Sequence, residues 1–291
     1  MILQGLWIQL AQIAPYWLSG LAVGSVINVY LSDRIIARFS AFQEGRFSVI
    51  ALLVSAALGI ISPICMFGTV PVIVSLGRKN VPEYLLAAFM VCSILLNPSL
   101  ALMTLALGTH LAVLRLCVSM LGGLLAGIVV YFFFKKKPLY RFDAFEVDTK
   151  KKKRALWRDF LRALSVTAPY FFAGILLTAL YDLYFPKDLM NIIFAGNIAF
   201  GTLFAMSLSI PLHACGGGAI PLLLAWLREG MSNGAALAFM VAGPAVKFTN
   251  LGAVKTITGV RHFVFYLLFC SGFALVAGLI TDGITIVLSG S

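Results

Sequence analysis

Cys65 and Cys215 stand 150 residues apart, each in a stretch that cannot continue a helix. The first reads Pro63-Ile-Cys65-Met-Phe-Gly68 and the second Pro211-Leu-His213-Ala-Cys215-Gly216-Gly217-Gly218. Proline removes a backbone donor and glycine is a weak helix former, so both stretches interrupt a helix beside a thiol. Thiolates suit soft ions such as Cu(I), Zn or trivalent arsenic, and His-x-Cys adds an imidazole nitrogen to the sulfur. Cys65, His213 and Cys215 are therefore candidate ligands for a metal or metalloid. A lone cysteine in apolar sequence is more often a small packing residue. The symmetric placement of these two in helix breaks is what separates them from Cys117 and Cys270, which read as packing. Cys92, on the helix after the first break, is a further candidate.

A second irregular helix follows each break. The first ends Cys92-Ser-Ile-Leu-Leu-Asn97-Pro98, and the second Ala242-Gly243-Pro244-Ala-Val-Lys247-Phe-Thr-Asn250. Offset 150 lays Asn97 on Lys247. A charge so far inside an apolar run costs about 3 kcal/mol against lipid, so Lys247 is expected to face a cavity, where it could hold an anionic group or take part in proton coupling. Snorkelling to the interface is the plainer alternative. Unpaired backbone is tolerated at membrane depth only against protein or water. The glycines Gly68, Gly216, Gly217 and Gly218, with Asn97, Lys247 and Asn250, complete the candidate substrate site. Close helix packing is the competing reading of the glycines. Arg115, early in its apolar run, reads as a snorkelling or paired side chain and is set outside the site. Asn28 and Asp182 read as span-end caps, and Tyr16 and Tyr170 as interface or kink residues.

These residues need elements to hold them, and composition says which kind. The chain has 291 residues, 61% hydrophobic and only 11% charged, with a mean hydropathy of +0.99. Soluble domains are nearer 45–50% apolar and about 25% charged. A water-soluble globule, a disordered tail and a disulfide-stapled secreted domain are excluded. At about 25–30 residues per span and loop the length allows about ten membrane crossings or part-crossings. Residues 135–158 form a Lys/Arg-rich linker between a first repeat, 1–134, and a second, 159–291.

The two halves resemble each other. At offset 150, Cys65 falls on Cys215, Gly68 on Gly218, Pro71 on Pro221 and Arg78 on Arg228; at 154, Ala14-Pro15-Tyr16 falls on Ala168-Pro169-Tyr170; at 151, Gly108 falls on Gly259 and Ala126-Gly127 on Ala277-Gly278. With the linker cytoplasmic, 18 of the 22 basic residues lie inside, as the positive-inside rule requires. The equivalent Arg78 and Arg228 then lie on opposite sides. The expected fold is an all-α polytopic membrane protein of two inverted repeats, each with about four to five helical segments and broken or re-entrant helices at the Cys/Gly/Pro motifs. Inverted repeats with paired broken helices are a mark of secondary transporters.

Cys215-Gly-Gly-Gly-Ala-Ile-Pro221, continuing through Arg228 to Gly243-Pro244-Ala, resembles the ArsP/YraQ-like permease family. Cys65-Met-Phe-Gly68-Thr-Val-Pro71 through Arg78-Lys79 to Phe89 resembles that family's other motif copy. The resemblance spans the chain, with about 40 specific residues per repeat. It implies a two-repeat membrane permease, in a family where some members export trivalent organoarsenicals and others are linked to soft-metal efflux, with Cys65 and Cys215 as the thiol ligands. Where relatives often carry Cys-x-Cys or Ser-Cys, this chain has Pro63-Ile-Cys65 and His213-Ala-Cys215. Where close relatives carry Gly-Pro-Ala-Thr-Asn, it inserts Lys247, which turns expectation from a bare cation toward a neutral arsenical or an anion.

There is no Gly-x-Ser-x-Gly, no His-Glu-x-x-His, no phosphate-binding loop and no dinucleotide fingerprint, so neither enzyme nor cofactor is expected. The expected partners are a small solute or metal(loid) and the lipid bilayer, with no nucleic acid; a homo-oligomer is compatible. The expected location is the cell inner membrane, with multiple passes. Two rival readings stand: a thiol-, redox- or sulfur-handling membrane protein, and the membrane subunit of a larger complex docked through the basic linker.

Overall fold

The computed structural model describes residue 18 and residues 48–62, 66–77, 80–134, 139–140, 156–158, 160–161, 164–165, 198–212, 223–224, 226–227 and 230–289. Among these the regular structure is entirely helical: α1 (Val49–Ile61), α2 (Met66–Gly77), α3 (Glu83–Leu95), α4 (Pro98–Thr104) with a 3-10 turn at Leu105–Leu107, α5 (Thr109–Phe133), α6 (Ile198–Leu212), α7 (Asn233–Val246) and α8 (Phe248–Ser289), which bends at Gly259.

Two kinds of helix are present. α5 is 25 residues long, and Ile257–Val287 within α8 is 31. Both exceed the roughly 20 residues needed to cross a hydrocarbon core. Each exposes an apolar face, including Val113, Leu121 and Phe132 on α5 and Val264, Leu268 and Val276 on α8. In contrast, α3 and α7 have 13 and 14 residues, about 20 Å, and fall short of a 30 Å core. All of Tyr84–Leu95 and all of Gly234–Val246 are buried. A helix apolar on every side belongs inside a bundle.

The packing of the first half recurs in the second. α3 lies against α1 and α5; α7 lies against α6 and α8. Gly127 lets α5 approach α3, and a Cβ there would come within 2.9 Å of the Tyr84 carbonyl and 3.2 Å of Ala88. Gly278 does the same in α8, where a Cβ would meet the Gly234 carbonyl at 2.7 Å and Ala238 at 2.9 Å. Those neighbours correspond at offset 150. The four positive-φ residues among those described also form two equivalent pairs. Asn80 (φ 60) matches Gly230 (φ 96), and Gly108 (φ 118) matches Gly259 (φ 72). Even the turn hydrogen bonds correspond: Val81 N to Leu76 O at 3.3 Å, and Met231 N to Trp226 O at 2.9 Å.

The two long helices run in opposite directions where they meet. Phe134, at the C-terminal end of α5, packs edge-on against His262 and Phe265 near the start of the long part of α8. Further back along α5, Gly122 lies against Phe273, further along α8. A cavity of about 40 Å³ separates the halves beside this contact, bordered by Met90, Val91, Tyr140, His262 and Tyr266.

Candidate functional site

The described part of the candidate site is built on the broken helices. α3 ends at Leu95, and Asn97 starts the next helix: its Oδ1 accepts from Leu100 N at 2.8 Å and its carbonyl from Ala101 N at 2.9 Å. In the second half α7 ends at Val246, and Lys247 occupies the equivalent non-helical position. Its N–H donates to Gly243 O at 3.2 Å and its carbonyl accepts from Leu251 N at 3.3 Å. Lys247 is buried, with 6% of its surface exposed. Snorkelling to the surface is not its role in this structure.

Pro244 lies inside α7 and has no N–H to give the carbonyl four residues earlier, that of Met240. Arg115 supplies the missing donor. Its Nη2 reaches Met240 O at 3.1 Å and Leu95 O, at the end of α3, at 3.4 Å; its Nη1 donates to Thr104 Oγ1 at 2.6 Å. Thr104 in turn donates to Leu100 O at 2.6 Å. Arg115 thus ties α5, the α3–α4 break and α7 together from a position 1% exposed. Of the two readings the sequence left open, snorkelling and pairing, the structure shows pairing: the carbonyls left over at two helix breaks hold it inside. The equivalent residue of the second half, at offset 151, is Tyr266. Its hydroxyl donates to Ala245 O at 3.1 Å, and Ala245 is the equivalent of Leu95.

Cys92 is buried between α3 and α5. Its thiol donates to Ser119 O at 3.4 Å, and its sulfur occupies the space a side chain at Gly123 would need. Gly68 lies in the first turn of α2 and Asn250 in the first turn of α8. Cys65, His213, Cys215, Gly216, Gly217 and Gly218 lie outside the described residues, as do Tyr16, Asn28, Tyr170, Asp182 and most of the 135–158 linker. The first break is bounded all the same. α1 stops at Ile61, α2 starts at Met66, and Ser62, which ends α1, keeps a buried Oγ without a partner.

Two polar residues outside the candidate site read from the sequence emerge here. Arg115 is one. The other is Asp282, 4% exposed within α8. Its carboxylate accepts from Gly234 N and Ser232 Oγ at 2.8 Å each and from Thr202 Oγ1 at 3.2 Å. It seals the N-terminus of α7, where free N–H groups favour an anion. Position 131, its equivalent in the first half, is a tyrosine, and Tyr131 packs edge-on with Tyr84. The signal for both was present: a charge inside an apolar run of a membrane chain needs a stated partner.

Among the described residues two helices are long and apolar enough to cross a membrane, and the short helices α3 and α7 are buried, with Pro98 just after α3 and Pro244 inside α7. The chain belongs to the ArsP_1 family, described as predicted permeases, which its residues 6–283 match. It is a membrane permease of that family. It is 24% identical over 291 residues to UPF0718 protein YcgR of Bacillus subtilis (strain 168), an alignment covering 97% of this chain and 92% of the relative. No solved structure matches it.

Proposed function

We propose that the chain is a secondary-type permease of the cell inner membrane, crossing it several times, that exports a soft metal(loid) or organoarsenical-like small solute. Its site lies near the midplane, between two inverted repeats, where the breaks carrying Cys65 and Cys215 approach each other. Cys65, Cys215 and His213 supply the soft ligands, and Asn97, Lys247 and Asn250 line the neighbouring breaks.

The observation that carries this reading is the antiparallel course of α5 and the long part of α8, which are equivalent by sequence and meet through Phe134, His262 and Phe265. Like segments running oppositely are what inverted repeats require, and in such folds discontinuous helices meet at the substrate site.

The test is uptake into inverted membrane vesicles, with trivalent methylarsenical, Cu(I), Zn(II) and a small oxyanion assayed in parallel. Uptake of at least one is expected, and Cys65→Ser and Cys215→Ser abolish transport of any thiol-bound substrate. Normal transport by both variants removes the ligand assignment.

A further inference from the structure

Arg115 is the largest fully buried side chain among the described residues, and no carboxylate among those residues lies beside its positive charge. The two acidic side chains among those residues are engaged elsewhere: Glu83 accepts from Leu139 N at 2.9 Å, and Asp282 seals the α7 N-terminus. A buried charge without a counter-charge costs several kcal/mol, so its retention calls for a reason.

Clamping carbonyls is not a sufficient reason. Tyr266 makes the equivalent contact in the second half with a neutral hydroxyl. The charge is therefore extra to the clamp. Two further atoms point the same way. Arg115 Nε and Ser119 Oγ are both buried without a hydrogen-bond partner. Residues four apart on a helix share a face, so an unneutralised guanidinium with a spare N–H and a spare hydroxyl lie one turn apart on α5. Arg115 reaches the α3–α4 break and the α7 break, and Ser119 lies against Cys92 of α3.

We propose that Arg115 and Ser119 form an oxyanion-recognition site in the permeation path, the anion accepting from Arg115 Nε–H and Ser119 Oγ–H and neutralising the guanidinium. This deepens the permease reading by giving the solute, or a group on it, a negative charge. It rests on that reading for transport, while binding can be measured without it.

The experiment measures equilibrium binding to the full-length protein in nanodiscs. The probes are radiolabelled inorganic phosphate and dimethylarsinate as anions, with neutral trivalent methylarsenical for comparison. The wild type binds at least one anion saturably. Arg115→Gln weakens that binding about tenfold or more, the scale of a lost hydrogen bond to a charged group. Arg115→Lys retains part of it, Ser119→Ala loses a smaller part, and Tyr266→Phe leaves it unchanged.

The proposal is overturned if the wild type binds neither anion, or if Arg115→Gln binds as the wild type does. It is also overturned if Arg115→Gln and Tyr266→Phe lower affinity and thermal stability alike, which is the behaviour of a clamp. Should Arg115→Gln not fold, unchanged affinity in Ser119→Ala overturns it. Binding of the neutral trivalent methylarsenical reads the thiol site and binding of phosphate reads this one, so failure of the thiol site and failure of this one are read separately.

Discussion

At the scale of single residues, the polar side chains inside this bundle work on backbone groups that broken helices leave over. Arg115 takes the carbonyl that Pro244 cannot pair, and Asp282 takes the Gly234 N–H at the start of α7 with the hydroxyls of Ser232 and Thr202. Asp282→Ala strands those three donors, and should destabilise the protein by about 2 kcal/mol or more. Asp282→Asn keeps an acceptor and should lose less. Thermal unfolding in nanodiscs ranks the two, and equal stability of Asp282→Ala and wild type would contradict the capping role. The first break, between Ile61 and Met66, was legible in the sequence because proline and glycine are conspicuous there. Arg115 was not, because its partners include a carbonyl 125 residues away. Nothing in the local sequence around Arg115 shows that Pro244 has left that carbonyl free.

At the scale of elements, small residues determine how closely the helices approach and where they turn. Gly127→Val and Gly278→Val push a methyl-bearing carbon into backbone at equivalent crossings, and each should cost about 1–3 kcal/mol through overpacking. Gly108 is a different case. Nothing lies within 4 Å of a Cβ placed there, so Gly108→Ala costs only the backbone strain of φ 118 and ψ 149, a region essentially confined to glycine, about 1–3 kcal/mol. Apparent Tm values for the three variants check both, and a neutral Gly278→Val would contradict the crossing. Sequence matching at offset 151 located these glycines, and the structure adds their two different jobs. The crossings or part-crossings allowed by length include short buried helices. α3 stops at Leu95 although apolar residues continue beyond it, because Pro98 cannot extend the helix and Asn97 starts another.

At the scale of the whole molecule, the account depends on how the halves are related. A short bis-maleimide should join Phe134→Cys to Phe265→Cys, whose parent rings have centroids 5.2 Å apart, and should not join Phe134→Cys to Ile284→Cys at the far end of α8. The reverse result would contradict the antiparallel contact. Charge counting assigned opposite sides to Arg78 and Arg228 from sequence alone, since lysine and arginine favour the cytoplasm. The architecture of the thiol site was less legible, since glycine runs specify where a helix stops but not where the chain then goes. The most direct measurement of the central claim labels Asn80→Cys and Gly230→Cys in intact cells with a membrane-impermeant maleimide. These positions are exposed and form equivalent turns. The account predicts that Gly230→Cys reacts from outside and Asn80→Cys only after the membrane is opened. Labelling of both from the same side would show that the halves are inserted the same way up.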